Sequence, residues 1–190
     1  SVNPQAKVTS SYLYVYALPG QPKVTDADSP DLFRTVGDGA DDLDFGTVMF
    51  GNPFPAAWAV VAVARTGFAV SYTAPGATQP LDLTVSALIV GPAATVTAGP
   101  IMPKVSPPRA PVIAGKSAFA AQSGVGLTPQ LVWTSPSSGE PTYYQVELFE
   151  LAASGGATTS TSVARIYTTD TQVRLPPQKL MAGKGYVAQI

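Results

Sequence analysis

The sequence contains neither histidine nor cysteine among its 190 residues. Without an imidazole there is no Ser-His-Asp or Cys-His nucleophile and no histidine ligand for zinc or iron. Without a thiol there is no thiolate metal site and no disulfide. These two absences exclude several large classes of enzyme and metal centre, and they favour a non-catalytic protein.

Charge and long apolar runs are scarce as well. The chain has 11 Lys and Arg against 12 Asp and Glu, a net charge of −1, so a basic nucleic-acid-binding surface is not expected. The longest strongly apolar run, 56–64, is far shorter than the roughly 20 residues of a membrane-spanning helix. We therefore expect no membrane span. We expect no signal peptide in the first residues, and abundant Thr, Ser, Gly and Pro favour a mature extracellular or cell-surface protein of a bacterium.

Glycine and proline are abundant, with 17 and 19 residues, and they separate short alternating apolar segments. This pattern predicts many strands joined by turns. In the first half we expect strands over 10–18, 56–66, 68–73, 81–89 and 95–98, with a hairpin at Gly67. A Ser-Pro pair at Ser29 predicts one short helix. In the second half we expect strands over 112–119, 130–134, 143–151, 161–168, 171–175 and 185–190.

A segment with five prolines in thirteen positions, 99–111, divides the chain. Prolines stiffen an extended segment and forbid a helix, as in a linker between domains. The sequence thus predicts an all-β protein of two tandem β-sandwich domains. The first covers 1–98, the linker covers 99–111, and the second covers 112–190. Trp58 and Trp133 are expected in the cores.

Three sequence motifs follow one another in the second half, in an order and at separations that are typical of a known domain family. Trp133 is followed by a proline in the segment 131–136, Tyr144 and Val146 alternate in the next strand, and 180–186 has the form Leu-x-x-Gly-x-x-Tyr. Together these segments resemble a fibronectin type III domain. The resemblance implies a seven-stranded sandwich in which Trp133 is buried and the Tyr186 hydroxyl bonds back to the backbone.

The resemblance covers about 106–190 and lacks the last strand of such a sandwich. The segment 185–190 is then expected to present an unpaired backbone edge, which invites pairing with another chain. Either the natural chain continues beyond Ile190, or a neighbouring subunit or another copy donates the strand. Tyr186 and Ile190 are therefore candidate interaction residues.

Seven of the nine aspartates lie between Asp26 and Asp44. Calcium takes six to eight oxygen ligands, and the segment 38–44 could wrap one ion through Asp38, Asp41, Asp42 and Asp44. It lacks the complete calcium loop with its distal Glu, so a solvated acidic loop is the other interpretation. No other cofactor is predicted.

Three tyrosines, Tyr12, Tyr14 and Tyr16, lie on one face of the first predicted strand because strand side chains alternate. Such a row can contact a protein or stack on sugar rings. Alternatively it packs against neighbouring strands or within the core. The function expected from these features is a non-catalytic structural or protein-interaction module. The alternative is a glycan-binding accessory domain pair of a polysaccharide-active enzyme.

Overall fold

The computed structural model describes residues 3–19, 29–38, 44 and 46–190. In this part of the chain the fold is all-β, as predicted, with eleven strands and one four-residue helix. The strands are β1 Lys7–Leu18, β2 Asp31–Gly37, β3 Ala59–Tyr72, β4 Leu81–Pro92, β5 Arg109–Ile113, β6 Lys116–Ser117, β7 Gln130–Thr134, β8 Tyr144–Ser154, β9 Ala157–Thr168, β10 Gln172–Arg174 and β11 Gly185–Gln189. The helix, α1, is Ala93–Val96.

The chain divides into two compact units. We call Ala6–Val70 with Thr84–Lys104 the four-stranded unit, and Ser1–Gln5, Ser71–Leu83 and Val105–Ile190 the two-sheet unit. One passage between the units, at 104–105, lies inside the proline-rich segment, and others lie after 5, 70 and 83. The predicted domain limits at 98 and 112 stay predictions.

The four-stranded unit holds one sheet with the strand order β2-β1-β3-β4. The centre is β1, which runs antiparallel to both β2 and β3. Leu13 and Val15 of β1 are buried against Ala62 and Ala64 of β3. Half-buried apolar side chains of β2, β4 and α1 pack around these four. The core of this unit thus lies on the face of the sheet that carries the odd-numbered residues of β1.

The helix predicted at Ser29 is wrong. The residues that follow form β2, which pairs with β1 from Ser11↔Gly37 to Tyr16↔Asp31. Two turns of helix are marginal in isolation. Pairing with β1 satisfies the same backbone groups and lets Leu32 and Phe33 pack against the core.

The hairpin predicted at Gly67 is also wrong, because β3 runs unbroken from Ala59 to Tyr72. Gly67 lies where the register of β1 shifts between Val8 and Ser10. A Cβ on Gly67 would lie 2.8 Å from Thr9 Oγ1. Gly67 therefore permits a close approach at a β-bulge instead of making a turn.

Two shorter predicted strands also differ. The segment 95–98 overlaps α1, whose end is closed by Thr97 donating both its N–H and its hydroxyl to the Ala93 carbonyl. The predicted strand 112–119 is interrupted by Ala114 and Gly115, which have φ angles of 48° and 79°. This turn separates β5 from β6, which pair with each other.

The two-sheet unit contains antiparallel sheets of the orders β10-β7-β5-β6 and β11-β8-β9. Leu131 and Trp133 of β7 share a buried cluster with Tyr144 and Val146 of β8, so the two sheets share a core. This arrangement is compatible with a β-sandwich. Trp133 is buried as expected, whereas Trp58 of the four-stranded unit is half-buried and stacks on Phe54, the ring centroids 4.9 Å apart.

The connection between β3 and β4 belongs to the two-sheet unit, which the sequence did not indicate. The buried Thr158 of β9 accepts the Ala74 N–H at 3.0 Å and donates to the Gln79 carbonyl at 2.8 Å. The Thr78 and Gln79 N–H groups both donate to the Gly156 carbonyl. A buried hydroxyl with both hydrogen bonds satisfied fixes this connection against β9.

Candidate interaction surface

The tyrosine row Tyr12, Tyr14 and Tyr16 lies on the face of the four-stranded sheet opposite the core. The intervening Leu13 and Val15 point into that core, and successive strand side chains point to opposite faces. Each tyrosine is half-buried. The row is therefore partly open to solvent on a sheet whose other face is packed.

Two arginines flank the row on the neighbouring strands. Arg34 of β2 is paired with Tyr14, and Arg65 of β3 is paired with Tyr12. The guanidinium carbon of Arg34 lies 4.6 Å from the Tyr14 ring centroid, and that of Arg65 lies 5.9 Å from the Tyr12 centroid. Tyr12 and Tyr14 stack on each other with centroids 4.3 Å apart and ring planes at 15°. We call Arg34, Tyr14, Tyr12 and Arg65 the Arg/Tyr stack.

The order of the stack determines which groups face a partner. Tyr14 already has an aromatic ring at 4.3 Å and a guanidinium at 4.6 Å, distances at which stacking and cation–π attraction operate. The ring faces of Tyr14 are thus occupied from within the protein. At Tyr14, the ring edge and the hydroxyl group remain for contact, together with the N–H donors of the exposed Arg34 and Arg65.

The Tyr16 end of the row has a different character. Its ring meets Tyr14 edge to face, with centroids 6.0 Å apart. Burial raises the pKa of the Tyr16 hydroxyl above its ordinary value, and the nearby Asp31 carboxylate raises it further. The surface therefore runs from two cations at the Arg/Tyr stack to one carboxylate beside Tyr16.

Sequence reasoning found the tyrosines and missed both arginines. The tyrosine row shows in the alternation of β1 alone. Arg34 and Arg65 join it only through the pairing register of β2 and β3, and β2 was predicted as a helix. A single Arg in each neighbouring segment carries no periodicity that could have indicated this placement.

The other candidate interaction residues lie at the end of the two-sheet unit. Tyr186 is the second residue of β11, and its hydroxyl accepts the Met181 N–H at 3.0 Å and donates to Glu150 at 3.3 Å. These bonds close the corner before β11, so the hydroxyl of Tyr186 is engaged inside the unit. The hydrogen bond back to the backbone is the one that the sequence resemblance implies.

Ile190 follows β11 and packs partly against the cluster that contains Trp133. It also lines a groove of about 490 Å³ together with Gln189, Tyr143 and Pro108. β11 pairs with β8 on one side, and no strand of the described residues pairs with its other side. The outer edge of β11 is thus a second candidate contact surface.

Two carboxylates of the two-sheet unit, Glu147 and Glu150, bind local donors. Glu147 binds Arg165 at 2.8 Å and the Ser162 hydroxyl at 2.6 Å. Hydrogen bonds from Ser162 and then Arg165 hold the pKa of Glu147 below its ordinary value. Glu150 binds Lys184 at 2.8 Å, and this bond lowers the pKa of Glu150. Each acid acts here as an ion-pair partner.

The calcium prediction rests on four aspartates, of which only two lie in the described part of the chain. Asp38 and Asp44 are exposed, and Asp41 and Asp42 lie outside the described residues. Among the described residues no cluster of three or more acidic side chains could hold a metal ion. Calcium binding by the segment 38–44 stays a prediction.

Comparison with known proteins gives no relative: no family model, no curated protein and no solved structure matches the chain. Within the described ranges, no helix has the length and apolar character needed to cross a membrane.

Proposed function

We propose that this chain is a non-catalytic protein-interaction module of a bacterial secreted or cell-surface protein, which contacts other copies of itself or a neighbouring subunit. The observation that carries the proposal is the tyrosine row with its two stacked arginines on an open sheet face. Tyr and Arg are enriched where protein interfaces draw most of their binding energy. The extracellular location rests on composition: few charges and many Thr, Ser, Gly and Pro residues.

The two-sheet unit is proposed to be a fibronectin type III-like sandwich. Its two antiparallel sheets share a core around Trp133, and the Tyr186 hydroxyl closes the corner before β11. Both features belong to sandwiches of this kind. Such modules serve as spacers and contact domains, and the outer edge of β11 gives the unit a place for strand addition.

A second candidate function is glycan binding by the tyrosine row. Half-buried tyrosines on an open sheet offer apolar rings with polar tips, a surface suited to sugars. The stacking of Tyr12 on Tyr14 counts against it, because a sugar needs a free ring face. The protein-contact function is therefore the better supported of the two.

The test is self-association of the wild type and of a variant with Tyr12→Ala, Tyr14→Ala and Tyr16→Ala, measured by sedimentation velocity over a range of concentrations. We expect the wild type to associate and the triple variant to be monomeric. A matched control is Tyr143→Ala with Tyr167→Ala, which removes two exposed tyrosines of the two-sheet unit.

Circular dichroism, together with Trp58 fluorescence in a Trp133→Phe background, checks that the triple variant keeps the four-stranded unit folded. Equal association of wild type and folded triple variant would contradict the tyrosine row as the contact surface. A monomeric wild type that is retarded in gels containing polysaccharide, with retardation lost in the triple variant, would favour glycan binding.

A further inference from the structure

The two cations of the Arg/Tyr stack have no acidic partner among the described residues. The ion pairs found there, Arg165–Glu147 and Lys184–Glu150, both lie in the two-sheet unit. Arg34 and Arg65 are exposed and lie against tyrosine rings instead. Their charge is held in a defined place and is not neutralised by a carboxylate of the described chain.

The shape of a guanidinium determines how Arg34 and Arg65 can bind. Its N–H donors lie in one plane and form a rigid fork, and a guanidinium over an aromatic ring still has this fork available to a partner. That planar fork matches the two oxygens of a carboxylate. Because the tyrosines limit the rotamers of Arg34 and Arg65, less side-chain entropy is lost when an anion binds.

The charges along the tyrosine row are distributed unevenly, so an anionic partner is expected to bind in one orientation. Arg34 and Arg65 are paired with Tyr14 and Tyr12, whereas Asp31 is paired with Tyr16. Burial and then the Asp31 carboxylate raise the pKa of Tyr16, and Arg34 partly opposes them. An acidic group is attracted at the Arg/Tyr stack and repelled near Tyr16. A partner that fits this surface carries its negative charge at one end.

Resting on the proposed function, we infer that the Arg/Tyr stack is the docking site for a carboxylate-rich segment of a partner protein. Arg34 and Arg65 each bind a carboxylate, and the hydroxyl groups of Tyr12 and Tyr14 provide flanking hydrogen bonds. An acidic glycan would supply carboxylates too. Sugars commonly add stacking on an aromatic face to their hydrogen bonds, and at Tyr14 the neighbouring Tyr12 and Arg34 already lie against the ring, which favours a peptide.

The experiment measures the binding of fluorescein-labelled hexaglutamate to the full chain by fluorescence anisotropy. We expect saturable binding that weakens as salt rises from about 0.05 M to about 0.5 M. Arg34→Gln and Arg65→Gln should each weaken binding about tenfold, the effect of losing one charge-assisted hydrogen bond. Arg174→Gln, an exposed arginine of β10, is the matched control and should leave binding unchanged.

Two further variants separate docking from simple attraction by charge. Arg34→Lys with Arg65→Lys keeps the charge but removes the planar fork, and we expect binding to weaken. Asp31→Asn removes the repelling carboxylate, and binding should tighten by up to about fivefold. Circular dichroism and Trp58 fluorescence check that each variant is folded.

Absence of hexaglutamate binding, or equal binding by wild type and the Arg34→Gln/Arg65→Gln variant, would overturn the inference. Binding of oligogalacturonate through these arginines without binding of hexaglutamate would assign the site to an acidic glycan and overturn the protein partner. These results leave the self-association test of the tyrosines standing. Conversely, tyrosine variants that associate normally contradict the proposed function whatever hexaglutamate does.

Discussion

Two cations of one unit and two of the other are held in opposite ways. In the two-sheet unit, Arg165 and Lys184 are paired with Glu147 and Glu150 at 2.8 Å. In the four-stranded unit, the guanidinium groups of Arg34 and Arg65 lie over tyrosine rings, and none of the described carboxylates forms an ion pair with them. A cation that is paired with a carboxylate of the same unit has its charge neutralised within that unit. A cation that lies over an aromatic ring still has N–H donors available to bind another molecule.

The cores of the units differ as well. Leu131, 1% exposed, lies in a cluster with Trp133, Tyr144 and Val146, drawn from two sheets. The buried cluster of the four-stranded unit pairs Leu13 and Val15 with two alanines of a single sheet. When a side chain is truncated in a core of large side chains from two sheets, the neighbours can move little to fill the cavity. Half-buried neighbours around a smaller cluster can move further, so the cavity costs less stability.

The largest expected effect comes from truncating one leucine in each core. Leu131→Ala should lower the free energy of unfolding towards the upper end of about 2–5 kcal/mol, and Leu13→Ala towards the lower end. Each unit contains one tryptophan. Chemical denaturation followed by Trp133 fluorescence in a Trp58→Phe background reports on the two-sheet unit, and Trp58 in a Trp133→Phe background reports on the other.

Leu127→Ala is the control for this pair, since Leu127 is 52% exposed in the two-sheet unit. Its truncation should change the free energy of unfolding by less than about 0.5 kcal/mol. An equal cost for the two buried leucines, or a larger cost for Leu13→Ala, would contradict the difference drawn between the cores.

A smaller effect is expected at the corner before β11. Tyr186→Phe removes the acceptor of the Met181 N–H and the donor to Glu150. The expected loss is about 1 kcal/mol of unfolding free energy, the usual net worth of such hydrogen bonds. Thermal melts compare it with Tyr143→Phe, which removes a hydroxyl from an exposed tyrosine. Equal melting temperatures for both variants would show that the corner hydrogen bonds contribute nothing.

The sequence predicted the two-sheet unit more closely than the four-stranded unit for a physical reason. Trp133 and the Leu-x-x-Gly-x-x-Tyr corner ending at Tyr186 are local motifs, each tied to one packing role, and both side chains take the predicted roles. The limits of β7 match the prediction, and β8 begins one residue later and ends three residues later than predicted.

In the four-stranded unit, tertiary pairing overrode local preference. The Ser-Pro start at Ser29 favours a helix by propensity, yet the edge of β1 takes the following residues as a strand. Gly67 suggested a turn because an isolated glycine between two apolar segments commonly marks one. Its actual role depends on the β-bulge between Val8 and Ser10, about sixty residues earlier, which the local sequence around Gly67 does not show. The Arg/Tyr stack depends on that same register, so alternation within one strand could predict the tyrosines only.

The smallest effect concerns the ion pair of Glu147. Since Ser162 and Arg165 lower the pKa of this carboxyl in the folded protein, the unfolded chain binds the proton more readily. The stabilisation is therefore complete above the ordinary pKa of glutamate and is lost as pH falls through the lowered pKa of the folded protein. Glu147→Gln should reduce the fall in melting temperature between about pH 7 and about pH 3.

Glu140→Gln, at an exposed carboxylate outside both ion pairs, should leave that fall unchanged. If the two variants lose the same amount on acidification, then the pairing of Glu147 with Arg165 does not stabilise the two-sheet unit. The contrast with Arg34 and Arg65, which form no ion pair with a described carboxylate, would then lose its energetic basis.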